Sequence, residues 1–236
     1  MPVLSLGVAK QAARYLVQAL QPACDRIEIV GSVRREKPIV KDLELLVIPT
    51  IKRERQEFSQ RDLFGDSHSS NVPEYRETNC LELRISRLME SHPDRLALNW
   101  ERPANGPKYK RCLFYADAET GGSVERIAIS LDLFVVLPPA QWAVLMAIRT
   151  GDAEFSRALV TPRGLGGLCP DHLTFCNGTI LDRRTSEPIP VESEAELFAI
   201  LGLPEWSPKI RDAQLVRDYL HAPKMDSITR SIPKSA

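Results

Sequence analysis

Residues 30–49 read VGSVRREKPIVKDLELLVIP, and the second half of that stretch decides the fold. Leu43, Leu45 and Val47 alternate with Asp42, Glu44 and Leu46, and Pro49 closes the run, which predicts a β-strand. Side chains two apart in a strand leave the same face, so Asp42 and Glu44 stand together. Two carboxylates on an otherwise apolar strand repel each other and lose solvation unless a cation lies between them. An edge strand with its polar face in water is the other reading of the pair. Upstream, RIEIV (26–30) predicts a second strand that runs straight into the glycine turn GSVRR.

Asp132 repeats the anomaly inside ISLDLFVV (129–136), where every near neighbour but Ser130 is apolar. A third carboxylate from a neighbouring strand would complete an all-oxygen site suited to magnesium and to substrate phosphates. In the turn, Gly31 can take backbone angles closed to other residues and lets amides approach an anion. Ser32 adds a hydroxyl donor, and Arg34 or Arg35 can give a forked contact to phosphate oxygens.

Outward from this centre, VAKQAARYLVQAL (8–20) has helical periodicity, and Asn79 to Glu90 is helical again. Residues 50–78 are polar and charged and predict an excursion or mobile loop, whose basic start IKRER suits either a phosphate chain or a solvated face. Strands are predicted near YKRCLFY (109–115) and over IAISLDLFVVL (127–137). A helix follows in PAQWAVLMAIR, with Pro138 or Pro139 at its start, then a short one in DAEFSRALV beyond Gly151. The segment 161–181 is turn-rich and suits a small hairpin. SEAELFAILGL carries Ser193 as an N-cap, Glu196 three residues on, and Gly202 as a C-cap. Trp142 reads as core rather than as a base-stacking platform, and Trp206 as packing between two lobes. From about Asp226 a loose tail is expected.

The 236 residues carry 31 basic and 31 acidic side chains, so no global positive field points to nucleic acid. Five cysteines without a close pair, and only four histidines, argue against zinc and for reduced thiols. The longest apolar run, Leu131 to Ala140, contains Asp132 and two prolines and is too short for a membrane span. A soluble protein of the cytoplasm or another intracellular space is expected, with no membrane partner.

Taken together, VGSVRR with KDLELLV, NGPKYKRCLFY leading to ISLDLFVV, PPAQWAVLMAIRTGDAEFSRAL and VESEAELFAILGLPEWSPKIR resemble the X family of DNA polymerases, the DNA polymerase beta-like nucleotidyltransferases. The resemblance covers roughly residues 9–211 and implies an α+β fold. A nucleotidyltransferase palm with a mixed β-sheet and flanking helices (1–138) would precede a small nucleotide-clamping C-terminal subdomain (139–225). It also implies catalytic metal ligands Asp42, Glu44 and Asp132 for two Mg2+ ions, with Mn2+ as an alternative. Gly31, Ser32, Arg35, Lys41, Thr150 and Gly151 would bind the nucleotide. Further substrate contacts would come from Arg34, Arg149, Arg157, Lys108 and Lys110, although a charged hairpin also accounts for the two lysines.

This chain departs from the family in three places. Glu44 stands where Asp is usual, Val40 and Lys41 replace a small Ser-Gly pair, and Ile148 and Arg149 replace aromatic residues beside the Thr-Gly turn. A first strand near residue 26 leaves no room for the family's amino-terminal domain, so lyase activity is not expected. The expected partners are a nucleoside triphosphate and a DNA primer or primer-template, with RNA also open. The alternatives are transfer to RNA ends or another acceptor hydroxyl, and a catalytically silent binding module.

Overall fold

In the computed structural model, residues 3–56, 74–98, 104–120 and 123–222 are described. The chain opens with β1 (Leu4–Ser5), α1 (Leu6–Leu20), β2 (Cys24–Ile29) and the single helical turn α2 (Gly31–Arg34). Next come β3 (Ile39–Val40), β4 (Asp42–Pro49), β5 (Ile51–Gln56), β6 (Glu74–Asn79) and α3 (Cys80–Ser91). Then follow β7 (Leu96–Leu98), β8 (Ala104–Asn105), β9 (Tyr109–Thr120) and β10 (Ser123–Val135). The C-terminal part holds α4 (Trp142–Thr150), α5 (Ala153–Val160), β11 (Leu173–Cys176), β12 (Thr179–Asp182), β13 (Pro188–Ile189), α6 (Glu194–Ile200) and α7 (Ala213–His221).

The main sheet has the order β2-β4-β10-β9-β7, with β8 added on β9. Only β4 and β10 run parallel, so the sheet is mixed. Alternation sends Leu43, Leu45 and Val47 of β4, with Ile129, Leu131 and Leu133 of β10, to one face, where they pack with Leu16 and Leu20 of α1 and Leu81 and Ile85 of α3. Each such fully buried leucine contributes roughly 2 kcal/mol of transfer free energy. A second core gathers Phe155, Leu159, Leu197, Phe198 and Trp206. Between the two, Val30, Leu46, Phe134, Val136 and Met146 form a small cluster on the other face of the sheet, and through Met146 it seats α4 there. The result is a mixed α+β fold, a central mixed sheet flanked by helices and followed by a smaller C-terminal subdomain.

Several local expectations change. The polar stretch 50–78 is not irregular at its ends, because Ile51–Gln56 pairs antiparallel with Glu74–Asn79 as a ribbon; residues 57–73 lie outside the described residues, as does the expected tail from 226. The prolines at 138 and 139 do not enter α4, which starts at Trp142 after the Gln141 cap. Gln141 is spent as a stitch instead, donating to the Ile189 carbonyl at 2.9 Å and accepting from the Val191 amide. Trp206 packs inside the second core, edge-on to Phe155, Phe198 and Tyr219, rather than between lobes. Trp142 is half-buried beside the junction cluster, with the Arg26 guanidinium 4.2 Å above its ring. The hairpin of β11 and β12 turns on Asn177 and Gly178, both at positive φ (50° and 78°), which the strand twist requires of a two-residue connection. Ser193 caps α6 by accepting the Glu196 amide at 3.1 Å, and Glu196 reaches back to the amide of Glu192.

Candidate active site

Parallel pairing of β4 with β10 sets Asp132 opposite Glu44 and Ser130 opposite Asp42. On both strands the residues between these belong to the main core, so Asp42, Glu44 and Asp132 share the opposite face, at the end where β4 begins. Burial and the neighbouring Asp132 raise the Asp42 pKa. The Glu44 carboxyl is pushed up to about 7, first by burial and then by the charges of Asp42 and Asp132. No hydrogen bond or ion pair with a described residue satisfies either Asp42 or Glu44.

Asp132 is different. At 4% exposure it accepts from the Tyr109 hydroxyl at 2.9 Å and is gripped by Arg111, Nε to Oδ1 at 2.6 Å and Nη2 to Oδ2 at 2.8 Å. Arg111 faces it because antiparallel register sets Asp132 opposite Arg111 on β9. The hydrogen bonds to Asp132 raise the Arg111 pKa, while burial and the charge of Asp132 push the Tyr109 phenol up to about 12. Tyr109 and Phe134, themselves register partners, stack with centroids 5.3 Å apart.

The expected glycine turn is a helical turn whose first residue has φ +63°. The Val30 amide donates to the Glu44 carbonyl at 3.0 Å and pins the turn to β4. Gly31 is packed so closely on Glu44 that a Cβ would displace the carboxylate from its present position, and the positive φ itself favours glycine there. Two polar atoms there are buried without a partner, the Ser32 hydroxyl and Arg35 Nε. Arg35 spends Nη1 on the Thr150 carbonyl at 3.0 Å. Buried polar atoms in native proteins nearly always have partners, so these two orphans beside the carboxylate row are donors open to a solvent or ligand oxygen.

The other candidates divide. Arg34 is not free for phosphate: its guanidinium is tied to the Thr150 hydroxyl and to Glu194, and Glu194 also holds the buried Arg211. Burial raises the Glu194 carboxyl, but the Arg34 hydrogen bond and the Arg211 charge outweigh it and the pKa falls. Thr150 is wholly buried in this junction, and Gly151 caps α4 against Phe155. Lys41 is exposed and its charge is felt by Asp42. Arg149 is exposed, its guanidinium 4.0 Å above the Phe134 ring, and its charge reaches Glu44, Tyr109 and Asp132.

Lys110 is not brought to the site. It pairs in register with Leu133, on the helix-covered face, where at 5% exposure its Nζ holds Glu82 at 3.0 Å and Asn105 at 2.9 Å. Lys108 is exposed just before β9, and Arg157 is exposed on α5. Sequence reasoning missed Arg111, Glu194 and Arg211. The one available signal for Arg111 was its spacing of two from Tyr109 on a predicted strand, which puts those two on one face and Lys110 on the other.

The donor set suits a hard divalent cation chemically, being all carboxylate oxygen with two members unneutralised. Yet among the described residues no three His, Cys, Asp or Glu side chains converge to hold a metal ion. Arg111 occupies both oxygens of Asp132, and Glu44 lies against Gly31. Arg35 and Arg149 lower the Glu44 pKa from a distance without forming an ion pair with it, while Arg111 pairs directly with Asp132. Among the described residues no helix is long and apolar enough to cross a membrane. Neither the protein-family models nor the curated proteins compared with the chain match it.

Proposed function

We propose that this protein is a divalent-cation-dependent nucleotidyltransferase of the X-family DNA polymerase type, adding nucleotides from a nucleoside triphosphate to a nucleic-acid 3′ hydroxyl with release of pyrophosphate. The observation that carries the reading is one juxtaposition: Asp42, Glu44 and Asp132 on one face of adjacent parallel strands, beside the orphaned Ser32 hydroxyl and Arg35 Nε. In this reading the sheet is the palm and the C-terminal subdomain the nucleotide clamp.

Asp42, Glu44 and Asp132 would hold magnesium or manganese, which when bound acidifies the attacking hydroxyl and neutralises charge on the leaving pyrophosphate. The Ser32 hydroxyl and Arg35 Nε donate to the phosphate chain. Gly31, without a side chain, leaves room for the Glu44 carboxylate beside the turn. Arg111 neutralises Asp132 and must release at least one of its oxygens before Asp132 can accept the primer hydroxyl's proton or ligate a cation.

That same ion pair favours a second reading, a nucleotide-binding module without transfer activity, in which Arg111 never lets go. Incorporation of each dNTP and rNTP onto a labelled primer, with and without a template, in Mg2+ and in Mn2+, separates the two. Extension that vanishes in Asp132→Ala supports transfer. Nucleotide binding by a folded protein with no extension onto any primer, DNA or RNA, would leave the silent module.

A further inference from the structure

On α4, Arg149 is handled unlike the other arginines near the site. Arg34 and Arg211 are spent on Glu194, and Arg111 on Asp132. Arg149 makes no hydrogen bond or ion pair with any described residue; its guanidinium lies over Phe134, 4.0 Å from the ring centroid. Phe134 is itself held, stacked on Tyr109 with the planes 18° apart, and Arg111 lies over the Tyr109 ring at 5.6 Å. A cation–π contact draws the guanidinium to the ring face without using its N–H donors in hydrogen bonds. Phe134 therefore holds the Arg149 head group in place while its fork stays unspent among the described residues.

The place of that fork is informative. Glu44 is the negative charge most strongly felt by Arg149, followed by the Tyr109 and Asp132 groups. Arg35 donates to the carbonyl of Thr150, the next residue along from Arg149. Two guanidiniums, one from the end of α2 and one from α4, thus act on Glu44 in a carboxylate row that would otherwise repel a polyanion. A planar fork matches phosphate oxygens two at a time.

Resting on the nucleotidyltransferase reading, we propose that Arg149, presented by Phe134, is a second anchor for the triphosphate of the incoming nucleotide, beside Ser32 and Arg35. The sequence conveys only an arginine in place of an aromatic residue; the structure shows it held on Phe134.

The test is equilibrium binding of inorganic tripolyphosphate with Mg2+, of adenosine, and of a short single-stranded oligonucleotide to the full chain. The proteins are wild type, Arg149→Leu, Arg149→Lys, Phe134→Leu and Arg35→Ala, each checked for an unchanged thermal melt; Arg149 is exposed, so its two variants fold. Arg149→Leu is expected to weaken tripolyphosphate by about tenfold or more, with Arg149→Lys recovering part because it keeps the charge and loses the fork. Phe134→Leu weakens it several-fold although no charge is removed, and adenosine is unaffected throughout. Wild-type affinity in Arg149→Leu, with loss in Arg35→Ala, overturns the role of Arg149 and leaves the nucleotide reading standing. Loss for the oligonucleotide but not for tripolyphosphate overturns it in favour of strand binding. If wild type binds no tripolyphosphate at all, both ideas fall.

Discussion

Arg111 closes both oxygens of Asp132 in a forked ion pair, at 2.6 and 2.8 Å, between directly opposed residues of β9 and β10. Removing one partner of a buried pair is costlier than removing both, because a lone buried charge remains. Arg111→Met should lose about 2–3 kcal/mol of stability, Asp132→Asn less, and the double variant should recover part of the first loss. Urea denaturation of the three proteins checks this; an Arg111→Met protein as stable as wild type would mean the pair carries little.

Glu44 gives a pH signature. Its folded pKa, about 7, lies above its ordinary value of 4.5, so the folded state binds its proton more tightly than the unfolded chain does. Stability should therefore fall as pH rises from about 4.5 to about 7, by up to roughly 3 kcal/mol from this one group. Asp42, shifted in the same direction, adds to the fall. Glu44→Gln removes most of the slope and is stabilising at pH 8. Denaturation midpoints at pH 5 and pH 8 for both proteins decide it, and a flat wild-type profile would contradict the burial argument.

Glu194 ties the glycine turn to the C-terminal subdomain by neutralising Arg34 and the buried Arg211 together. Glu194→Gln leaves two guanidiniums facing each other without a counter-charge, and a loss of about 3 kcal/mol is expected. Because the Glu194 pKa is lowered on folding, its contribution is complete above its ordinary pKa and disappears as pH falls through the folded one. Chemical melts at pH 7 and pH 3 should show the variant converging on wild type at the acid end.

Lys110 offers a negative control. Being on the helix-covered face with Glu82 and Asn105, it should matter for packing and not for substrate. Lys110→Met is expected to change stability by no more than about 1 kcal/mol, since Glu82 stays half exposed to solvent. Its affinity for primer or nucleotide should match wild type; a tenfold loss in a filter-binding assay would put the side chain back at the substrate.

The period of two in KDLELLV and the single Asp132 amid ISLDLFVV were enough to find two carboxylate-bearing strands, and helical spacing was enough for α1, α4 and α6. These are local properties, written in residue spacing, and they survive folding because strand and helix geometry fix which side chains share a face. What surrounds the carboxylates is not local. That Asp132 meets Glu44 on one side and Arg111 on the other follows from strand register, and a slip of one residue would have delivered Lys110 instead. That Arg34 is consumed by Glu194, while Ser32 and Arg35 keep unspent atoms, depends on residues about 160 positions apart in the chain meeting across the junction. The sequence by itself determined which residues are charged and which strands carry them; only the tertiary structure decided which charges are already neutralised and which remain available, because pairing depends on distances of a few ångströms that spacing along a chain does not encode.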